Sequence, residues 1–162
     1  MKKIPLTKGQ YALVDNQDYE LLSQFTWHAK PADKGTIFYA YSSLRTGRGN
    51  ESAKFSMHNL IIGCSPVDHK DRNGLNNTRG NLRKCTPSQN VSNSYRQYGK
   101  SRFKGVSWRE PERKWLSRVT KNGKIHNLGY YDTEEAAARA YDIGAVEHFG
   151  EFAYLNFPSK QC

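Results

Sequence analysis

The sequence predicts an α+β protein in two parts. The first is small and β-rich and closes on a strand–loop–strand–helix segment. The second is a three-stranded antiparallel sheet with one packed helix. Three observations carry this expectation. Residues 1–60 hold short aromatic and β-branched runs with no long helical period. Residues 61–98 are poor in large apolar groups and rich in Asn, Asp, His and Arg. Residues 99–157 hold three strand-like runs and then one strong helical stretch, Thr133 to His148.

Length and composition bound the possibilities. A chain of 162 residues and 18.6 kDa accommodates one ordinary domain or two small ones. Its 36% apolar content and mean hydropathy of −0.85 are low for a single large core, while 12% aromatic content excludes a disordered polar chain. No apolar run approaches the roughly 18–20 residues of a membrane span, so no membrane partner is expected. Met1-Lys2-Lys3-Ile4-Pro5 has no apolar stretch behind its lysines, so no secretory leader is expected. Cys64, Cys85 and Cys162 are odd in number and form no CxxC pair. They argue against a disulfide scaffold or a four-cysteine zinc site and for a reducing, cytoplasmic setting.

Charge is the first positive clue. Lys and Arg number 25 against 15 Asp and Glu, giving +10 and a pI near 9.6. Such a balance suits a polyanion, most often nucleic acid. The charge is also segregated. Residues 96–127 carry ten bases against two acids, and residues 132–151 carry six acids against one base. A basic sheet face would meet phosphate and an acidic helix would face away from it.

In chain order, Tyr11-Ala12-Leu13-Val14, Phe25-Thr26-Trp27 and Ile37-Phe38-Tyr39-Ala40-Tyr41 read as short strands, and Gly47-Arg48-Gly49-Asn50 as a turn or loop. Met57-His58-Asn59-Leu60-Ile61-Ile62 reads equally as a short helix or strand. Val67 to Lys70 reads as a strand, Asp71-Arg72-Asn73-Gly74 as a turn in which Asn-Gly supplies positive φ, and Asn81 to Cys85 as the return strand. A helix then starts with Thr86 as N-cap, Pro87 at its first position and Gln89 completing a capping box, with Asn90 in the first turn turned back toward the hairpin.

Further on, Ser101 to Trp108, Lys114 to Thr120 and Lys124 to Gly129 read as strands, the last two joined at Lys121-Asn122-Gly123-Lys124. Thr133 caps the helix, Glu134 and Glu135 suit its first turn, and Ala137, Ala140, Tyr141, Gly144 and His148 share one face. Alternation on the middle strand puts Trp115, Ser117 and Val119 on one side and Lys114, Leu116, Arg118 and Thr120 on the other, with Val119 expected inward and Arg118 outward. The expected organisation is a first domain at 1–95 (1–56 and 57–95), a linker at 96–101 and a second domain at 102–158.

The Asp68-His69 pair, with Asn81 twelve residues after His69 and Asn90 nine further on, resembles the ββα-metal (HNH) nuclease motif of intron-encoded and phage homing endonucleases. Met57-His58, Asn76-Asn77, Asn81-Leu82-Arg83 and Gln89-Asn90 add to the likeness, which covers residues 55–95. It implies that Asp68 and Asn90 bind a divalent metal, that His69 is the general base, and that Asn81 holds the loop and orients His69. The residue types suit the task. An ordinary imidazole, with a pKa near 6.5, can take a proton from water at neutral pH. A carboxylate and an amide are hard oxygen ligands for Mg²⁺ or Mn²⁺. Many relatives carry His at the last position; Asn90 is a weaker ligand, so retained zinc is not expected. The implied products are a 5′-phosphate and a 3′-hydroxyl. His58 is expected to be structural or phosphate-facing, and His28, His126 and His148 receive no role.

Residues 102–158 resemble the AP2 (ERF-type) DNA-binding domain through Lys104-Gly105-Val106, Trp115, Leu128-Gly129-Tyr130-Tyr131, Thr133-Glu134-Glu135-Ala136-Ala137, Ala140-Tyr141-Asp142 and Leu155-Asn156-Phe157-Pro158. The likeness implies a sheet lying in the DNA major groove with the helix behind it. Lys104, Arg109, Arg113, Arg118 and Lys124 are the candidate DNA contacts, arginine being suited to guanine O6 and N7. Ser107, Pro111 and Asn127 stand where the plant members carry Arg or Trp, so the plant target does not transfer. Ile4-Pro5-Leu6-Thr7-Lys8-Gly9, Val14-Asp15, Trp27 and Tyr39-Ala40-Tyr41 resemble the leader of phage HNH-AP2 proteins, expected to pack on the nuclease hairpin.

The expected function is a monomeric, metal-dependent endonuclease of homing or phage type that cuts double-stranded DNA in a bacterial or phage-infected cytoplasm. The rival from another class is a sequence-specific DNA-binding regulator whose HNH fold is silent. A third is an RNA-binding module; since an A-form major groove is too narrow for a sheet, equal affinity for double-stranded RNA would count against the AP2 likeness.

Overall fold

A computed structural model of the chain describes residues 1–32, 37–45, 52–94 and 100–158. The expected Gly47–Asn50 turn and residues 96–99 of the expected linker lie outside the described residues. The fold is α+β. Among the described residues it holds ten strands in four small antiparallel sheets, together with four α-helices. No helix among them is long and apolar enough to cross a membrane.

The chain forms two compact units, Met1–Cys85 and Thr86–Cys162. The division falls ahead of the helix that starts at Thr86, whereas the sequence pointed to 96–101. That helix is bonded within the second unit, as described below.

In the first unit, β1 (Lys2–Pro5) pairs with β2 (Tyr11–Val14), and β3 (His28–Ala32), β4 (Ile37–Arg45) and β5 (Ser52–Ser56) form a meander. Between β2 and β3 lies α1 (Asn16–Leu22), and Phe25-Thr26-Trp27 follows it as a bend rather than the expected strand. Trp27 is buried there with its indole N–H donated to Leu22 O at 2.8 Å, which turns the chain out of the helix. Phe25, Trp27 and Phe55 meet edge to face at 5.3–5.9 Å, a favoured aromatic geometry. The ambiguous apolar run is a helix, α2 (Met57–Ile62), with Gly63 in the left-handed region at φ 72 as its terminator. Met57 and Ile61, four residues apart, are buried with Val14, Leu22, Ala40, Val67 and Leu82 in one core.

The hairpin β6 (Val67–His69) and β7 (Leu82–Lys84) stands on that core, with Asp68 opposite Arg83 and His69 opposite Leu82. Its loop is fastened to β2: Leu13 N donates to Leu75 O, and Asn77 N to Leu13 O, each at 2.8 Å. The loop is also fastened to α1. Arg79 binds buried Asp18 through Nε at 2.9 Å and Nη2 at 2.6 Å, and its backbone N–H reaches Asp15 Oδ2 at 2.7 Å. A bidentate guanidinium clamp of this kind fixes orientation as well as distance.

In the second unit, β8 (Val106–Arg109), β9 (Lys114–Lys121) and β10 (Lys124–Tyr131) form a sheet of order β10-β9-β8. The β9–β10 turn has Asn122 at φ 52 and Gly123 at φ 77, the two positive angles a tight hairpin of right-handed twist requires. Helix α4 (Glu134–Phe149) is capped by Thr133, whose hydroxyl accepts from Ala136 N at 3.2 Å. It lies on the sheet through Val106, Ala137 and Ala138, with Trp115 and Tyr131 against them. The expected alternation on β9 holds only in part: Ser117 and Val119 are buried and Thr120 is exposed, but Leu116, expected outward, is buried too, and Trp115 is half-buried. Gly105, at φ 76, lets Tyr141 approach; a Cβ there would meet the ring at 1.9 Å.

Helix α3 (Pro87–Asn93) opens with the expected capping box: Gln89 N donates to Thr86 Oγ1, and Thr86 N to Gln89 Oε1. The C-terminal carbonyls of α3 receive Lys104, whose Nζ donates to Val91 O, Ser92 O and Ser94 O. At its other end Ser88 Oγ accepts from Asn122 N at 3.1 Å.

Candidate active site and nucleic-acid interface

His69 ends β6 and is buried. Its Nε2 lies 3.3 Å from Oδ1 of Asn77, which is wholly buried. The Asn77 amide cannot be turned over freely, because its Nδ2 donates to Gly74 O at 3.4 Å. With the amide oxygen facing the ring, Nε2 carries the proton and the lone pair of the neutral imidazole is on Nδ1. Burial pushes the His69 pKa below its ordinary 6.5 against opposing contributions from Asn77, Asp71 and Asp68, so the neutral form is favoured at neutral pH.

Asp68, one residue earlier, faces the other side of the strand and is also buried. Arg83, its cross-strand neighbour, binds Oδ2 through Nε at 2.8 Å and through Nη2 at 2.7 Å. Cys85 lies near this pair, and burial pushes its thiol up to about 11, so it stays protonated.

Asn81 is buried at the base of the loop. Its Oδ1 accepts from Asp71 N at 3.0 Å, and its Nδ2 donates to Asp71 Oδ1 at 2.9 Å and to Asn76 O at 2.8 Å. Asp71 Oδ2 in turn accepts from Asn76 Nδ2 at 2.7 Å. Asn81 therefore closes the loop as a reciprocal clamp. The amide that meets His69 directly is that of Asn77, which the sequence reading noted beside Asn76 without a role. Asn90 is exposed in the first turn of α3, with its backbone N–H bonded to Thr86 O at 3.0 Å.

The positive φ of the loop falls on Arg72, at 64°, rather than on the Asn73-Gly74 pair. Gly74 is needed for a different reason. A Cβ there would lie 2.5 Å from Phe38 O and from the Tyr39 ring. Tyr39, His58 and His69 stand around one another, with centroids 5.8 Å (Tyr39–His58), 5.6 Å (Tyr39–His69) and 5.0 Å (His58–His69) apart. His58 is buried, its Nδ1 has no hydrogen-bond partner among the described residues, and burial together with His69 holds its pKa down at about 4. An unpartnered buried polar atom costs about 1–3 kcal/mol.

HNH endonucleases generally use a divalent metal. Among the described residues no three His, Cys, Asp or Glu side chains converge. The nitrogen- and sulfur-rich set of a closed zinc site is therefore not found among them. The donor at the hairpin is a hard carboxylate, which suits a hydrated Mg²⁺ or Mn²⁺ held by few protein oxygens.

Of the five expected DNA contacts, Arg109, Arg113 and Lys124 are exposed and Arg118 is half-buried. Arg118 lies opposite Asn127 in the sheet register and, with Thr120, lines a cavity of about 330 Å³ beside Val91, Ser107 and Ile125. Lys104 instead turns onto the carbonyls of α3.

A search of known proteins finds a relative that spans nearly the whole chain. An uncharacterized HNH endonuclease of Acanthamoeba polyphaga mimivirus is 33% identical over 153 residues, 92% of this chain and 76% of that protein. This chain belongs to the HNH endonuclease family. Protein 3.8 of Escherichia phage T7 matches the HNH chain at 36% identity over 88 residues, 54% of this chain and 72% of that protein. The AP2 likeness appears as well. An AP2-like ethylene-responsive transcription factor of Arabidopsis thaliana is 38% identical over 77 residues, 48% of the HNH chain and 24% of the plant protein. No protein-family model matches the chain.

Proposed function

We propose that this HNH protein is a metal-dependent endonuclease that hydrolyses phosphodiesters of duplex DNA, directed to its site by the AP2-like second unit. The observation that carries the reading is the buried imidazole of His69, whose Nε2 lies 3.3 Å from the Asn77 amide oxygen. Such an imidazole takes a proton at Nδ1 from an attacking water, the step that makes water a nucleophile at neutral pH. On the HNH likeness, Asp68 and Asn90 would hold a divalent ion, Mg²⁺ or Mn²⁺, which would supply charge stabilisation for the phosphate and the leaving oxygen. Attack by water and departure of the 3′-oxygen leave a 5′-phosphate and a 3′-hydroxyl. Asn81 keeps the loop closed so that Asn77 stays against His69.

Arg109, Arg113, Arg118 and Lys124 grip the duplex from the basic sheet, so the catalytic hairpin needs only sequence-independent phosphate contacts. Lys104 serves the protein itself, as the cation on the C-terminus of α3. The chemistry fits the homing or phage type of nuclease.

The test is a supercoiled plasmid incubated with Mg²⁺, with Mn²⁺ and with EDTA. Wild type cuts with either metal and stops with EDTA, and His69→Ala, Asp68→Ala and Asn90→Ala each cut far more slowly. Equal cutting by His69→Ala overturns the reading.

One observation favours the rival, a DNA-binding regulator with a silent nuclease fold. The Asp68 carboxylate is engaged by Arg83, which competes with a metal for the same oxygen. On that reading the protein binds duplex DNA with a steep salt dependence, never nicks it, and is indifferent to Asp68→Ala.

A further inference from the structure

The active-site histidine stands among two other rings, and neither belongs to the Asp-His-Asn-Asn pattern. His58 meets His69 nearly perpendicularly, at 81° and 5.0 Å, and Tyr39 leans on His69 at 60° and 5.6 Å. Tyr39 and His58 also touch each other, at 5.8 Å and 66°. Edge-to-face contacts at these spacings are attractive and directional. Three separate elements supply the rings: β4 gives Tyr39, α2 gives His58 and β6 gives His69. Gly74, in the same loop as Asn77, clears the space that Tyr39 fills, since any Cβ would overlap its ring.

His58 makes no use of its Nδ1 among the described residues and leaves it buried. A buried imidazole with an unsatisfied nitrogen at this spot contributes through its flat face and edge. We propose that His58 is a positioning residue for His69: with Tyr39 it forms an aromatic clamp that holds the imidazole plane while Asn77 fixes the protonated nitrogen. The hydrogen bond from Nε2 restrains one end of the ring and leaves rotation about that bond open, and the two aromatic walls close that freedom. The inference rests on the nuclease reading for its consequence in catalysis. The clamp itself is a property of the protein alone.

Two readouts separate the two. The first needs neither metal nor DNA: the imidazole Nε2–H proton of His69, observed by NMR in the full chain in EDTA. A ring held against Asn77 keeps this proton in slow exchange. Wild type shows the resonance, His58→Phe keeps it, and His58→Leu and Tyr39→Leu broaden or lose it while thermal melting shows each variant folded. The second is single-turnover cleavage. His58→Leu lowers the rate constant about tenfold or more with an unchanged KM, the pattern of a misaimed base. His58→Phe, which keeps a flat ring, falls about threefold. A resonance that persists in folded His58→Leu, or equal loss in His58→Phe and His58→Leu in both readouts, overturns the clamp. Wild type that cuts nothing sinks the nuclease reading and leaves the NMR comparison to decide the clamp.

Discussion

Asn77 fixes the tautomer of His69. Its Oδ1 lies 3.3 Å from His69 Nε2, and its own Nδ2 is engaged by Gly74 O at 3.4 Å, so the amide presents an acceptor to the ring. The backbone on both sides of Asn76, including the Asn77 N–H, is zipped to β2 through Leu13 in a short parallel bridge. An amide placed by a strand is a firmer support than one on an untethered loop, and it leaves the basic lone pair on the opposite nitrogen.

Asn77→Leu is therefore expected to lower the cleavage rate constant by about 10²-fold with little change in KM, because the ring loses its tautomer and aim rather than its identity. The same change removes the partner of the buried Nε2 and costs about 1–3 kcal/mol of stability. Single-turnover cleavage and urea unfolding read the two effects separately.

Arg83→Met leaves the Asp68 carboxylate buried without its guanidinium. Breaking a buried pair from one side costs about 3–5 kcal/mol, and urea unfolding measures it. A divalent cation can replace the lost charge. Mg²⁺ should thus raise the melting temperature of Arg83→Met more than that of wild type, and an equal rise would mean that the cation does not reach Asp68.

His58 makes stability depend on pH on the acid side. In the unfolded chain its imidazole titrates near the ordinary 6.5; in the folded protein burial holds it at about 4. Between these values the unfolded state binds a proton that the folded state refuses, so stability falls as pH drops from 6.5 toward 4 and levels off below. Above 6.5 both states are neutral and the histidine has no effect. The whole change amounts to about 3 kcal/mol. His58→Phe should remove that part of the acid sensitivity, as read by urea midpoints from pH 7 to pH 4.

The basic residues of the second unit divide into two classes by salt dependence. Arg109→Ala, Arg113→Ala and Lys124→Ala should each lower the slope of log K against log salt for duplex binding by about 1. Lys104→Met should leave that slope nearly unchanged and lower the thermal stability of the second unit, because its ammonium is bonded to Val91 O and Ser94 O.

Much of this was legible because local chemistry decides it. The Thr86-Pro87-Gln89 cap and the Asn122-Gly123 turn are set by residues within a few positions of one another. What the sequence hid are choices made by distant partners. Asn16–Leu22 carries only two buried residues, Asp18 and Leu22, and Asp18 is buried for the sake of Arg79, 61 residues away. Phe25-Thr26-Trp27 has strand composition, but the Trp27 indole caps the end of α1 and bends the chain. Gly74 stood in a pair that ordinarily signals positive φ, and its actual duty is to make room for Tyr39. The roles of Asn77 and of the ring of His58 likewise depend on where β2, β4 and α2 bring them, which no spacing within residues 67–90 can reveal.

The attachment of Lys104 to α3 bears on how such a protein could be taken apart. A fragment ending at residue 95 would retain Asn90 and its capping box, yet it would lack the ammonium that closes the far end of that helix. The short helix would then fray from its last turn toward its first, carrying an implied metal ligand with it. Any sheet put in place of this one would have to bring its own cation for those carbonyls.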